Sequence, residues 1–167
     1  RPQIALDGKG SPTVVWSQQV KGNFDLYSRT LDPVSNSWLK TNRLSTHPNP
    51  DIDHHLISDQ EGNLWVVWQG FQGDNSDIFL RHYDGAEWSG KVRITEHSAN
   101  DWEPRIAMGE QGTAHIVWDT YRNGSYDVYM RRYQNGELGP LRPIAATPRF
   151  EAHASVAIDG QNRIWIA

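Results

Sequence analysis

One short line of sequence occurs three times in this chain and constrains its fold more than any other feature. The line reads Gly-x-x-x-Val-Val-Trp, with Ile for the first Val in the third copy, and it ends at Trp16, Trp68 and Trp118. These Trp residues are 52 and 50 residues apart. A second landmark repeats with the same two periods, at Arg29, Arg81 and Arg131. Two landmarks with the same spacing indicate that one supersecondary unit is repeated.

Each copy consists of short apolar runs separated by turn residues, without a sustained helical period. The second copy shows this best, and its predicted strands A, B, C and D are His55 to Ser58, Leu64 to Trp68, Asp77 to Tyr83 and Trp88 to Ile94. The turn from A to B has one recurring position that suits a positive φ angle. That position holds Gly10, Gly62, Gly112 and then Asn162. The chain is therefore predicted to be all β.

Four short antiparallel strands repeated about every 50 residues are typical of the blades of a β-propeller. We predict an all-β propeller of four-stranded antiparallel blades, with three blades and the first hairpin of a fourth in a single segment. The repeats are predicted to span 1–53, 54–103, 104–153 and, in part, 154–167. Because three blades and a hairpin do not close a ring, we expect a fragment of a larger propeller, completed by missing blades or by other copies of the chain.

The residue pattern of the repeats resembles that of a known family. The segments Pro104-Arg105-Ile106-Ala107, Ile116-Val117-Trp118 and Tyr126-Asp127-Val128-Tyr129 resemble blades of bacterial propellers of the broad sialidase-like and TolB-like (WD40-like) type. The resemblance covers the whole chain at the level of blade pattern and implies the propeller fold. It does not imply the sialidase reaction, because Ser58-Asp59-Gln60-Glu61-Gly62 has one residue more before its Gly than the sialidase Asp-box.

Composition and charge exclude several partners. The net charge is −4 and no basic block occurs, so neither nucleic acid nor a membrane surface is predicted as a partner. No apolar stretch approaches the length of a membrane span. Cys is absent, which excludes disulfides and thiolate chemistry. Because many exported bacterial proteins also lack Cys, this absence is compatible with the extracellular or periplasmic location that we predict.

Residues that recur in every copy are interpreted as structural. An Asp opens each strand C and is predicted to fix the B to C turn, with a cation or sugar ligand as the alternative. These residues are Asp25, Asp77 and Asp127. The recurring Trp residues are predicted to pack between blades. The recurring Arg residues are predicted to stack on rings or form ion pairs between blades, rather than to converge as a sialidase arginine triad.

The segment before each strand A supplies the main candidate site. It places Asp51, Asp101 and Glu151 in one column and His47 and His97 in another, each at a spacing of 50 residues. In a propeller this connection and the B to C loop lie on one face, so the acids are predicted to form a ring around the channel mouth. Such a ring can support acid–base chemistry or recruit a cation. The alternative is that each acid caps a turn or pairs with a neighbouring Arg, such as Arg105.

Other side chains in these connections differ between copies, including Trp102, His54, His55 and His153. A mixed set of His and carboxylate groups can ligate a divalent metal. No metal-binding motif of short spacing supports such a site. We therefore predict no cofactor and no metal, and a divalent cation at the channel mouth is left open.

The B to C loops complete the candidate face. They contribute Phe71, Tyr121, Arg122 and Tyr126 beside polar amides. Aromatic rings can stack on a sugar while polar groups bind its hydroxyls, and the same groups suit a protein partner.

The predicted function is that of a noncatalytic binding module, which recognises a glycan or protein ligand on the face that carries the D to A and B to C loops. The first alternative is part of a sialidase-like glycoside hydrolase or a polysaccharide lyase, which needs convergent catalytic groups. The second is a structural scaffold in a multidomain protein. No catalytic residue is assigned. The predicted ligand-binding residues are Asp51, Asp101, Glu151, His47, His97, Trp102, Arg105, Phe71, Tyr121 and Arg122.

Overall fold

A computed structural model describes all residues, 1–167, and contains four antiparallel sheets, each of which is one blade. Blade 1 contains β1 (Gln3–Leu6), β2 (Pro12–Val20), β3 (Asn23–Asp32), β4 (Ser37–Trp38) and β5 (Asn42–Arg43). Blade 2 contains β6 (Asp51–Ser58), β7 (Leu64–Gln72), β8 (Asn75–Tyr83) and β9 (Val92–Arg93). Blade 3 contains β10 (Asp101–Met108), β11 (Ala114–Thr120), β12 (Asp127–Gln134), β13 (Glu137–Leu138) and β14 (Arg142–Ala145). Blade 4 contains β15 (Val156–Ile158) and β16 (Ile164–Ile166).

The strand order confirms the predicted blade, because each strand pairs with the next in sequence. The sequence predicts strand D as one continuous strand, and the structure differs from this prediction. In blade 1, β3 pairs with both β4 and β5, and in blade 3, β12 pairs with both β13 and β14. Blade 2 has one bridge between Tyr83 and Trp88, and then β9. Strand D is therefore split into two short segments in every complete blade.

Strand A is longer than predicted and contains a bulge. β6 begins at Asp51 and β10 at Asp101, so the repeat boundaries drawn at 54 and 104 fall inside strand A. The pairing register of β6 shifts between Ile52 and His55, and that of β10 shifts at the corresponding place. A bulge bends a strand and turns its side chains. The residues before the predicted start, 51–54, fall in the predicted D to A connection, which is why the sequence pattern missed this part of the strand.

The A strands of successive blades lie side by side. The side chain of Gln3 donates to the carbonyl of His54 at 2.7 Å and accepts from the N–H of Leu56 at 2.8 Å. The N–H of Ile106 donates to Nδ1 of His55 at 3.1 Å. Side chains of strand A therefore join blade 1 to blade 2, and blade 2 to blade 3, along the inner edge of the fold.

The hydrophobic core lies between the blades rather than within them. One cluster joins blades 1 and 2 around Leu26 and Trp68, and another joins blades 2 and 3 around Ile78 and Trp118. Trp68 and Trp118 are fully buried, which confirms the predicted packing role for these two residues. Trp16 is half-buried, and its ring stacks on Tyr27.

The A to B turns have the backbone angles that the sequence predicts. The φ angle is positive in each copy, at 75°, 81° and 66° for the glycines and at 57° for Asn162. Gly62 is also restricted by packing, because a Cβ atom there would lie 2.1 Å from the Cα of Gly8. Both conformation and space therefore require glycine at position 62.

The B to C hairpins contact the D to A connections, as predicted. The side chain of Asn23 donates to the carbonyl of His47, and that of Asn75 donates to the carbonyl of His97, each at 2.8 Å. In blade 3, the N–H of Glu151 donates to the carbonyl of Tyr126 at 2.9 Å. The two kinds of loop therefore lie on one face of the molecule.

The recurring polar residues have structural roles, among them the predicted stacking of Arg29, which lies over the ring of Trp38 at 5.9 Å. The buried carboxylate of Asp25 pairs with Arg43 at 2.6 Å, and Asp127 accepts from the side chains of Asn123 and Ser125. The Nε groups of Arg29 and Arg131 each donate to a backbone carbonyl at 2.8 Å, so these two side chains do not converge on one ligand. No helix in the chain has the length and apolar character needed to cross a membrane.

Candidate functional site

A cleft of about 310 Å³ lies between blades 3 and 4. Its polar side contains Glu103, Asp119 and His153. Its aromatic side contains Trp102, Tyr126 and Phe150. The cleft therefore combines carboxylate groups with apolar rings, and its residues come from blades 2 and 3 and from the segment before β15, with Asp53 and Gln69 as the blade 2 residues.

A left-handed backbone conformation is shared by two of the polar residues. Glu103 lies in the bulge of β10 with φ at 47°, and His153 lies before β15 with φ at 62°. Such left-handed backbone is uncommon for residues other than glycine, and strained backbone of this kind is concentrated at functional sites. Asp119 is the next-to-last residue of β11 and only 3% exposed. The repeated bulge thus brings side chains of strand A beside the end of strand B.

His153 connects the two carboxylates. Its backbone N–H donates to Oδ2 of Asp119 at 2.7 Å, and its Nδ1 lies 2.9 Å from Oε2 of Glu103. One ligand atom from each of the three side chains lies within 4.8 Å of the other two. The second carboxylate oxygen of Asp119, Oδ1, is buried without a hydrogen-bond partner. The cluster is therefore compact and leaves one buried acceptor unused.

The groups of the cluster differ in the protonation state that their surroundings favour. Burial raises the pKa of Asp119, against the lowering effect of the N–H groups of His153 and Ala154. The hydrogen bond and negative charge of Glu103 raise the pKa of His153. Burial thus favours a proton on Asp119, while the Glu103 carboxylate favours the charged form of His153.

The aromatic side of the cleft is a continuous set of rings. Trp102 stacks on Tyr126 with ring centroids 5.2 Å apart, and Phe150 lies 5.0 Å from Tyr126 at a tilt. Tyr121 meets Tyr126 edge-on at 5.2 Å. Phe150 is 66% exposed, so one of its faces is open to a ligand. We call Trp102, Tyr121, Tyr126 and Phe150 the aromatic wall.

The framework of the cleft recurs, but its side chains do not. The bulge position holds Asp53 in blade 2, Glu103 in blade 3 and His153 in blade 4. The strand B position after the recurring Trp holds Ser17, Gln69 and Asp119. The predicted residue set omitted both Glu103 and Asp119. The signal that could have identified them is that the residue at each of these equivalent positions differs between blades. Residues that serve the repeated framework stay the same from blade to blade.

The predicted acid ring at the channel mouth is not formed. Asp51 is 1% exposed, and its Oδ1 accepts from Nε1 of Trp68 at 2.7 Å. Asp101 is fully buried and pairs with Arg122 at 3.1 Å. Glu151 accepts from the N–H and the hydroxyl of Thr147 in its own turn. Burial therefore separates Asp51 and Asp101 from solvent, and ligand binding by the three acids stays a prediction.

The predicted histidine column serves its own turns. Nδ1 of His47 accepts from the N–H of Asn49 at 3.2 Å, and Nδ1 of His97 accepts from the N–H of Ala99 at 3.0 Å. Each histidine thus bonds the backbone two residues further on. These contacts explain why the two histidines recur, and the explanation requires no ligand.

The remaining predicted residues are divided between the cleft and its surroundings. Trp102 and Tyr121 belong to the aromatic wall. Arg122 is held by Asp101 and lies over the ring of Tyr129 at 4.9 Å. Arg105 lines an adjoining cleft of about 560 Å³, which it shares with Glu103. Phe71 is half-buried and does not line the cleft between blades 3 and 4.

The mixed set of His and carboxylate groups expected from the sequence occurs only in part. His153 joins Glu103 and Asp119, which gives one imidazole nitrogen and two carboxylates. His54 contacts the carbonyl of Val15 at 3.1 Å. Burial, together with the positive charge of Arg105, lowers the pKa of His55 to about 4. The last two histidines are therefore structural.

The chain was compared with known proteins. No protein-family model matches it, and no curated protein matches it. Solved structures that resemble it include an α-L-arabinanase of Penicillium chrysogenum complexed with arabinobiose (TM-score 0.66, 13% identity, 100% of this chain and 58% of that chain). An α-L-arabinofuranosidase of Fusarium graminearum with arabinobiose resembles it with a TM-score of 0.64 and 17% identity, over 100% of this chain and 58% of that chain. A fucose lectin of Kordia zhangzhouensis with methyl-fucoside resembles it with a TM-score of 0.53 and 18% identity, over 88% of this chain and 99% of the lectin.

These similarities confirm the predicted β-propeller fold. The chain spans 58% of the length of the two arabinan-related enzymes. The prediction of a noncatalytic binding module is wrong, since the similar structures are mainly those of glycoside hydrolases. The sequence pattern drew attention to buried framework acids and away from the carboxylates of the cleft.

Proposed function

We propose that this chain forms part of a propeller glycoside hydrolase, with Glu103 and Asp119 as its catalytic carboxylates. One observation carries the proposal: carboxylate oxygens of these two residues lie within 4.8 Å of each other in a cleft with an aromatic wall. Most glycosidases use such a pair, in which one carboxyl group donates a proton and the other acts as nucleophile or base.

Asp119 is the proposed general acid. A general acid must hold its proton in the free enzyme, and burial raises the pKa of Asp119 as this role requires. The N–H of His153 fixes one oxygen of the carboxyl group at 2.7 Å and leaves the other oxygen without a protein partner. Asp119 would then protonate the oxygen of the leaving group.

Glu103 is the proposed nucleophile. Its side chain is 37% exposed, and His153 holds one of its carboxylate oxygens at 2.9 Å. In retaining glycosidases the two carboxyl groups are roughly 5 to 5.5 Å apart, whereas in inverting enzymes they are roughly 6.5 to 9.5 Å apart. The limit of 4.8 Å on the oxygen pair of Glu103 and Asp119 lies well below the inverting range. We therefore propose hydrolysis with retention of anomeric configuration.

A neutral glycan suits this cleft better than an anionic one. Asp53 and Glu103 both line it, so a polysaccharide rich in uronic acid would meet like charge. Exposed rings of the aromatic wall can stack on an uncharged sugar. Two of the similar structures contain arabinobiose, which makes arabinan and its oligosaccharides the first substrates to test. The negative charge of the cleft also disfavours the polysaccharide lyase alternative.

Two finer proposals accompany the reaction. A polysaccharide substrate supports the extracellular or periplasmic location expected from the sequence. The sialidase-like resemblance is supported by the A to B turns, where Asp59 and Asp159 accept from the indole N–H of Trp65 and Trp165 at 2.8 and 2.9 Å. We propose this kinship for the blades and not for the reaction.

The test is to incubate the purified protein with arabinan, arabino-oligosaccharides and a uronic-acid polysaccharide. We expect new reducing ends from the neutral substrates, with the product anomer retained in the first turnovers as seen by NMR. Asp119→Asn should abolish this release, because the amide keeps the acceptor oxygen for His153 but carries no transferable proton. Unsaturated products from the uronic-acid polysaccharide, or release that survives Asp119→Asn, would contradict the proposal.

A further inference from the structure

We infer that Glu103, Asp119 and His153 form a binding site for a divalent transition-metal cation, of which Zn²⁺ is the model. The site uses residues of the proposed hydrolase cleft, but the inference concerns binding alone and does not depend on hydrolysis. It rests on the donor set, on the separation of the donors and on an unused buried oxygen.

The donor set comes from two blades. β10 and β11 of blade 3 supply the two carboxylates, and the segment before β15 supplies the imidazole. Their ligand atoms lie within 4.8 Å of one another. Carboxylate oxygens and an imidazole nitrogen bind Zn²⁺ at roughly 2.0 to 2.2 Å, so ligands of one ion are separated by about 3 to 4 Å. Small side-chain adjustments would therefore bring all three groups to one ion.

The unused oxygen is the independent observation. Oδ1 of Asp119 is buried and has no hydrogen-bond partner, although the residue lines the cleft and is only 3% exposed. Leaving a buried carboxylate oxygen unpaired costs free energy, and such groups are usually satisfied by a partner, an ion or water. A cation between Asp119 and Glu103 would satisfy this oxygen and remove the repulsion between the two carboxylates.

The chemistry favours a transition metal over Ca²⁺. Imidazole nitrogen is a preferred ligand of Zn²⁺ and its neighbours in the first transition row, whereas Ca²⁺ takes six to eight oxygen ligands. Three side chains, one of them a histidine, leave room for water or a sugar hydroxyl in the remaining positions. The inferred site is therefore open, in contrast to a closed structural zinc site.

Metal binding and the proposed hydrolysis compete for the same groups. A cation held by both carboxylates would occupy the oxygens that the proposed reaction requires. The cation is thus inferred to be an inhibitor of the reaction that we propose, and it is not required for that reaction.

The experiment is calorimetric titration of the chelator-treated protein with Zn²⁺ and, separately, with Ca²⁺, in the absence of glycan. We expect one Zn²⁺ site and no Ca²⁺ binding at the same concentrations. His153→Gln should weaken Zn²⁺ affinity at least about tenfold. Its side chain is 67% exposed, so the variant should fold. One control should bind as the wild type does: His97→Gln, an exposed histidine that does not line the cleft.

Three results would overturn the inference: no Zn²⁺ binding by the wild type, equal binding by His153→Gln, or Ca²⁺ binding as tight as that of Zn²⁺. Glu103→Gln provides a second test of the site through an exposed carboxylate. Because no substrate is present, failure of the metal site is distinguishable from failure of the proposed hydrolase. A protein that binds Zn²⁺ but cleaves no glycan would contradict only the latter.

Discussion

Blades 2 and 3 have the same backbone at their inner edge but carry different chemistry there. Each has a bulge in strand A with a left-handed residue, Asp53 or Glu103, and each has a strand B that continues past a buried Trp. After that Trp, blade 2 has Gln69 and blade 3 has Asp119. Only the cleft of blades 3 and 4 therefore combines two carboxylates with an imidazole. The repeated framework provides the geometry, and single substitutions within it provide the chemistry.

The largest effect on stability is expected in the shared framework. Trp68→Ala removes a fully buried indole and its hydrogen bond to Asp51, and should lower the free energy of unfolding by roughly 3 to 5 kcal/mol. Trp16→Ala is the matched change at a half-buried position and should cost less than about 2 kcal/mol. Denaturant unfolding of both variants measures the difference. Equal losses would show that burial does not distinguish the blades.

The next largest effect on stability is expected at the predicted acid positions Asp101 and Glu151. Asp101→Ala should cost about 3 kcal/mol, because it leaves the Arg122 guanidinium, whose side chain is 10% exposed, without its partner. Glu151→Ala, at the equivalent position in a surface turn, should change stability by less than about 0.5 kcal/mol. The same unfolding measurement applies. A neutral Asp101→Ala variant would restore the earlier view that this acid is a free binding group.

The smallest effect concerns pH. Burial raises the pKa of Asp119, so its protonated form persists above the pH range in which carboxyl groups ordinarily titrate. Activity should therefore begin to fall only when the pH exceeds that range. The positive charge of His153 lowers the pKa of Asp119, so His153→Gln should move this alkaline limb to higher pH. Profiles of kcat/KM against pH for the two proteins measure the shift. A limb that moves to lower pH would exclude Asp119 as the acid.

The sequence predicts the fold well because the fold depends on repeated features. Trp68, Trp118, the A to B glycines and Asn162 have the roles that their spacing indicates. The bulge in strand A could not be predicted, because its one left-handed residue, Asp53 or Glu103, is polar and lies in a segment that resembles a connection. The predicted site therefore contained Trp102 but not Glu103 beside it.

The most direct test of the account is a pair of Glu→Gln variants, one inside the cleft and one outside it. Glu103→Gln should reduce kcat/KM on arabino-oligosaccharides by about 10² to 10⁴. Glu96→Gln, the same change at an exposed residue that does not line the cleft, should leave kcat/KM within about threefold of the wild type, by the usual size of surface effects. If both variants keep full activity, or if both lose it equally, the site is not in the cleft between blades 3 and 4 and the central claim is wrong.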